Sequence, residues 1–394
     1  MCDYNFDEPV MRRGSGCVKW DEEPAGDVIP LWVADMDFRA APAIREALSR
    51  RLENGVFGYT HVGEDYYNAV ISWFNRRHSW HIQRDWIQYT SGVVPAVSVC
   101  VKALTCPGDG VILQTPVYNC FFSSVRNNGC ETLENRLVRR DDGSYVIDFD
   151  DLEQKAANPK ARLLILCNPH NPVGRLWSRE ELQRVADICR DNGVIVISDE
   201  IHNELTYNGN RYTPFGTIDM DNAVICTSPS KSFNTAGLQM ANIICNNVEW
   251  QKKIDRAINI NEVCDVNPFG VVALIAAYND SETWLDQLCN YLWRNYETLR
   301  QFFEERLPQL KVTPLEATYL VWVDITPLGI KSSELCQQLQ EKARVHVNPG
   351  TMYGVDDSLL GNAGEGYIRI NIACPRQQLM EGLQRIYNSV SVKR

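Results

Sequence analysis

Four short segments carry side chains whose types and spacing could do chemistry together. NPHNPVG at 168–174 holds Asn171 between two prolines, and SDEIH at 198–202 carries Asp199 and His202. SPSKSFNTAGLQ at 228–239 surrounds Lys231 with small hydroxyl residues, among them Ser228 and Ser230. SGVVPAV at 91–97 is a small-residue turn that runs into a helix with Pro95 in its first turn, which leaves the amides of Gly92, Val93 and Val94 without helical acceptors. Together these supply an amine, an acid, an amide donor and an anion-binding helix end. Taken singly, each has a plainer reading: a Pro-directed turn, a helix cap, a solvated surface lysine, and a helix end that binds water.

What joins the segments is their placement after apolar runs. GVILQ at 110–114, RLLILC at 162–167, GVIVIS at 193–198, NAVICTS at 222–228 and QMANIIC at 239–245 read as buried strands. EELQRVADICRDNG at 180–193 reads as a helix opened by Ser178 and stopped at Gly193. A run of strand, loop and helix repeated from about residue 85 to 230 predicts an α/β fold with a mostly parallel sheet, and such sheets collect ligands at the carboxyl ends of their strands. After about residue 284 the pattern changes. A long amphipathic helix, WLDQLCNYLWRNYETLRQFFEERL, leads to short strands around TYLVWVDI and GYIRINIA. The expected division is a large domain over 51–284 and a smaller α+β domain made of 285–394 together with residues 1–50.

Composition narrows the function classes. The 394 residues are 44% hydrophobic and 23% charged, which suits a folded core. The 39 Lys and Arg against 50 Asp and Glu give a net charge of −11, so neither nucleic acid nor an anionic membrane is expected as a partner. The apolar runs are of strand length, far below the ~20 residues of a membrane span. The fourteen cysteines stand singly, with no C-x-x-C pair and no zinc-ligand spacing, so no metal is expected and reduced thiols fit best. The start, MCDYNFDEPVMRRGSG, is acidic and polar where a signal peptide would be basic and then apolar, and a cytoplasmic location is expected.

In their order along the chain, the four segments resemble the fold-type I pyridoxal 5′-phosphate enzymes. LWVADMDF at 31–38, FGYTHVGEDYY at 57–67, TSGVVPAV at 90–97, KSFNTAGLQ at 231–239 and RINIACPR at 369–376 narrow the resemblance to the MalY/PatB-type carbon–sulfur β-lyases. The likeness implies that Lys231 is the Schiff-base lysine and, once freed, the base for the substrate Cα proton. It implies that Asp199 pairs with the pyridine nitrogen and that Asn171 donates to the phenolate oxygen. Tyr118, in TPVY at 115–118, would stack on the ring near the leaving group. His202 falls among the cofactor-contacting positions. The phosphate would be held by the amides of Gly92, Val93 and Val94, by Ser228 and Ser230, and by Tyr59 from a neighbouring subunit, which implies a homodimer. Arg369 matches the fork for the substrate α-carboxylate, with Asn171 and Tyr59 nearby. Without the likeness, Tyr118 reads as a core tyrosine and Arg369 as a surface strand charge.

Two positions depart from the wider fold type. His202 and Gln239 stand where many aminotransferases carry Tyr and Arg, a pattern that favours a lyase and leaves less positive charge beside the phosphate. The implied reaction is α,β-elimination of L-cystathionine or a related cysteine S-conjugate to a thiol, pyruvate and ammonia. The rivals are an aminotransferase and a regulatory protein that retains the fold.

Overall fold

In the computed structural model, residues 4–391 are described apart from 24, 25, 261, 263, 357 and 358. Seven strands form the main sheet: β1 (Ile87–Thr90), β2 (Gly110–Thr115), β3 (Glu131–Arg136), β4 (Ala161–Cys167), β5 (Ile195–Asp199), β6 (Ala223–Thr227) and β7 (Ala241–Ile244). Their spatial order is β1-β7-β6-β5-β4-β2-β3. All neighbouring pairs are parallel except those of β7, which runs antiparallel to both β1 and β6. The central residues of the middle strands are apolar because both faces are covered, and Leu163, Leu164, Ile165, Val196, Ile197, Val224 and Ile225 are wholly buried.

Register brings the site residues level. Cys167 at the end of β4 pairs with Asp199 at the end of β5, and Asp199 pairs with Cys226 next to the end of β6. The loops that follow therefore leave the sheet side by side, and they are the loops bearing Asn171, His202 and Lys231. A buried carboxyl next to Asp199 ties these loops together. The buried carboxyl of Glu200 accepts from Ser198 Oγ at 2.9 Å, Asn168 Nδ2 at 3.2 Å and the amide of Phe215 at 2.9 Å, and also from Tyr212.

Helices cover the faces. α1 (Pro42–Glu53) packs against α4 (Pro268–Asp280), and α2 (Val93–Leu104) lies over β1, β4, β5, β6 and β7 with its N-terminus at the site edge. α3 (Arg179–Asp191) opens on a capping box: the amide of Glu181 donates to Ser178 Oγ at 3.2 Å, and the amide of Ser178 donates to Glu181 Oε2 at 2.8 Å. Such a cap stabilises a helix by about 1 kcal/mol. α5 (Glu282–Arg306) buries Leu285, Leu288, Leu292, Leu299 and Phe303, the stripe its periodicity predicts, and packs against α6 (Arg376–Ser391). Among the described residues, no helix is long and apolar enough to cross a membrane.

A second, antiparallel sheet has the order β8-β9-β11-β10, from β8 (Lys311–Val312), β9 (Leu320–Asp324), β10 (Asn348–Pro349) and β11 (Tyr367–Asn371). Arg369 sits mid-strand in β11, between Trp322 of β9 and Asn348 of β10. The N-terminal segment meets this part of the chain through Ile29–Pro30, parallel to Val345–His346. It then crosses to the main sheet along residues 31–38, while α1 spans the boundary expected at residue 50 and lies on α4.

Candidate functional site

A cavity of about 240 Å³ opens where α2 begins and β4, β5 and β6 end. Gly92, Val93, Val94, Tyr118, Asn171, Asp199, His202, Ser230 and Lys231 line it, so nine of the residues singled out in the sequence meet there. Gly92 has φ 149°, a conformation side chains rarely adopt, and this turn aims the first amides of a twelve-residue helix at the cavity.

Lys231 is half-buried, and its amine donates to the carbonyl of Ala34. Burial, helped by the nearby Arg369 charge, lowers the ammonium from its ordinary 10.5 to about 8. Asp199 is 4% exposed, and its Oδ1 accepts from the amide of Ile201 at 3.1 Å. Burial raises its carboxyl from 3.8 to about 7, against the opposing pull of that amide and of Lys231. A cation placed in the cavity would ionise it fully. Burial also lowers His202 well below the ordinary histidine range, and the charges of Lys231 and Arg369 add to this, so its ring is neutral. Its Nδ1 is buried with no hydrogen-bond partner. Burial pushes the Tyr118 hydroxyl up, with Cys120 and Asp199 adding to the effect, so the phenol stays protonated and can donate.

Arg369 lies behind Asn171. Its Nη1 donates to Asn171 Oδ1 at 3.2 Å, its Nη2 to the carbonyl of Trp32 at 2.8 Å, and its guanidinium stands over the ring of Tyr353 at 4.9 Å. Its Nε is buried and unpartnered. The bond to Oδ1 also orients the Asn171 amide, leaving Nδ2 as its donor end. A buried guanidinium with an unused N–H is suited to a carboxylate.

Three expected site residues do not line the cavity: Arg369, which reaches it only through Asn171, Ser228 and Tyr59. Ser228 does not line the cavity, because its hydroxyl donates to the carbonyl of Met240 at 2.6 Å and accepts from the amide of Ser230 at 3.1 Å. It shapes the turn that presents Ser230. Tyr59 is 96% exposed and away from this chain's cavity. The expectation also left out several lining residues, notably Ala34, Ile201 and Met240, whereas Gln239, expected beside the phosphate, and Cys167 do line the cavity. Cys167 accepts from the amide of Asn171 at 3.5 Å and helps seat that loop.

The sequence profile of aminotransferase class I and II matches residues 26–386. The chain belongs to this family. Within it, the chain is 42% identical to cystathionine beta-lyase PatB of Bacillus subtilis (strain 168), covering 98% of this chain and 100% of that one. It is 32% identical to protein MalY of Escherichia coli (strain K12), covering 99% and 100%. The crystal structure of cystalysin from Treponema denticola, which contains a pyridoxal 5′-phosphate cofactor, is similar at a TM-score of 0.94 and 34% identity over the full length of both chains. The residues present here fit such a cofactor on their own chemistry. The free helix amides and Ser230 can hold a phosphate, the desolvated Asp199 can face a protonated ring nitrogen, Asn171 Nδ2 can donate to a phenolate, and the unpartnered Nδ1 of His202 needs company inside the cavity.

Two outcomes follow. In protein stripped of cofactor, acetylation of Lys231 by trace acetic anhydride, followed by peptide mass spectrometry, should reach half its limiting rate near pH 8, because only the neutral amine reacts. A midpoint matching that of exposed lysines would contradict the burial argument. Arg369→Lys should raise KM by about tenfold to a hundredfold with a smaller change in kcat, since a hydrogen bond between charged groups contributes about 1.5–3 kcal/mol. An unchanged KM would remove Arg369 from carboxylate binding.

Proposed function

We propose that this chain is a pyridoxal 5′-phosphate-dependent carbon–sulfur β-lyase that eliminates a thiol from L-cystathionine or a related cysteine S-conjugate and leaves pyruvate and ammonia. The observation that carries this reading is the meeting of a depressed amine, Lys231, with a desolvated acid, Asp199, in one cavity that Tyr118 also lines. The full-length likeness to cystathionine beta-lyase PatB supports the same reaction class.

When bound, pyridoxal phosphate supplies an electron-accepting ring that stabilises negative charge at the substrate Cα. Asp199, as the anion, keeps a proton on the ring nitrogen. Arg369 takes the α-carboxylate and thereby turns the Cα–H bond toward Lys231. The amine of Lys231 removes that proton, and its depressed pKa leaves about a tenth of it neutral at pH 7, on the order of a hundredfold or more above an ordinary lysine. As the Cα–Cβ double bond forms, the Cβ–S bond breaks with its electron pair going to sulfur, and the protonated Tyr118 hydroxyl can donate to the departing thiolate. Released 2-aminoacrylate takes up water to give pyruvate and ammonia. The neutral His202 and the uncharged Gln239 are the lyase-like features of the cavity.

With L-cystathionine and no 2-oxo acid, pyruvate and a thiol should appear together, and Lys231→Ala should lower the rate by about 10²–10⁴-fold. Turnover that requires added 2-oxo acid would instead make the protein an aminotransferase. The reading includes a homodimer in which Tyr59 reaches the neighbouring phosphate site, consistent with its 96% exposure in the single chain. Mixed Tyr59→Ala and Lys231→Ala chains should then regain activity, because one site of each hybrid has both residues. No regain on mixing would place Tyr59 outside the site.

A further inference from the structure

Residues 32–36 form neither helix nor strand, yet each of their five carbonyl oxygens accepts from a side chain. Trp32 O takes Arg369 Nη2 at 2.8 Å and Asn348 Nδ2 at 3.1 Å. Ala34 O takes the Lys231 amine and the Tyr319 hydroxyl, the latter at 2.9 Å. Between them, Asn371 Nδ2 donates to Val33 O and, at 2.7 Å, to Asp35 O. Met36 O takes Asn234 Nδ2 at 3.0 Å and Arg12 Nη1 at 3.1 Å.

The far end of this strap is held by charge. Asp37 Oδ1 accepts from Arg12 Nη1 at 2.6 Å and Trp20 Nε1 at 2.8 Å, while Oδ2 accepts from Lys19 Nζ at 2.9 Å and Gln378 Nε2 at 2.9 Å. The side chains of Lys19 and Asp37 are 0% and 2% exposed. A buried ion pair contributes little net stability against well-packed apolar groups, and none of these residues has a part in the elimination. What the cluster does is fix the direction of a loop that has no ladder of its own, and that loop presents the acceptors for both Lys231 and Arg369.

We propose that Asp37, together with Lys19 and Arg12, is a positioning group for Lys231 and Arg369, acting through the carbonyls of Ala34 and Trp32. The kinetic arm of the inference rests on the lyase reading. A purely structural anchor would alter stability alone; a positioning group also alters how the carboxylate is bound and where the amine's proton lies.

The test compares Asp37→Asn with Glu204→Gln in cofactor-loaded protein. Glu204 is likewise a buried carboxylate, bonded to Trp73, Arg77 and His78, and none of these bonds to residues 32–36. The readouts are KM and kcat for L-cystathionine, thermal midpoint, and the pH at which the visible absorbance changes. Asp37→Asn should raise KM about tenfold or more and move the absorbance midpoint by about half a pH unit. Glu204→Gln should lower the thermal midpoint and leave the other two at wild-type values. Wild-type KM and absorbance midpoint in Asp37→Asn, or equal shifts in both variants, would overturn the proposal. If Asp37→Asn does not fold, Tyr319→Phe removes one of the two donors to Ala34 O with the charge cluster intact, and an unmoved absorbance midpoint there would overturn it. Should wild-type protein give no pyruvate from L-cystathionine, the lyase reading fails, while the absorbance comparison still decides the positioning role.

Discussion

Lys231 is half-buried, and both the partial loss of water around its amine and the nearby Arg369 charge oppose its ammonium form. A lysine in that position needs a polar acceptor for its N–H to hold the amine in place. The Ala34 carbonyl is that acceptor. The rest of the fold can be understood as what it takes to keep one loop carbonyl, one helix end and three strand ends in fixed relation around a small cavity. Level registers at Cys167, Asp199 and Cys226 set the floor, and α2 sets one wall with its free amides. The desolvation that lowers Lys231 also raises Asp199, so amine and acid are pushed toward each other's range by a single cause.

Much of this was legible in the sequence because central parallel strands must be apolar on both faces. β2, β4, β5 and β6 follow GVILQ, RLLILC, GVIVIS and NAVICTS closely, and the helix after Ser178 begins one residue from its expected start. β3, ETLENR, escaped notice because an edge strand need not be apolar, and its Asn135 instead bonds Asp148 O at 3.0 Å and Asp151 at 2.8 Å. The reversed direction of β7 was equally hidden, since an antiparallel strand buried on both faces has the same composition as a parallel one.

Roles that depend on which atom meets which were the least legible. Ser228 and Ser230 look alike in SPSKS, but only the structure shows that Met240 O takes the first hydroxyl. Asn234 and Asn371 fall inside KSFNTAGLQ and RINIACPR and Asn348 in no quoted motif, but nothing in those runs marks their role, because binding a backbone carbonyl is chemistry any side-chain amide can do; what distinguishes them is a strap with no sheet partner. Cysteines gave a clearer signal by their isolation. Burial pushes the thiols of Cys189, Cys245, Cys289 and Cys336 up to about 12, which leaves them protonated core residues.

Net charge says little about a site like this one. The chain carries −11 overall, yet its proposed ligands, a phosphate and an amino-acid carboxylate, are anions. The field that matters is local: a helix N-terminus contributes about 0.3–2 kcal/mol toward an anion, and a buried guanidinium acts through little intervening water. Surface carboxylates lie in solvent that screens them beyond about 10 Å at ordinary ionic strength. Arg369, 3% exposed and with one N–H unused, is therefore worth more to an incoming carboxylate than the excess of acids on the surface is against it. The same reasoning explains why the strap must be held so firmly, since a guanidinium that recruits substrate from low-dielectric surroundings gains its strength only while its other N–H groups keep their partners at Trp32 and Asn171.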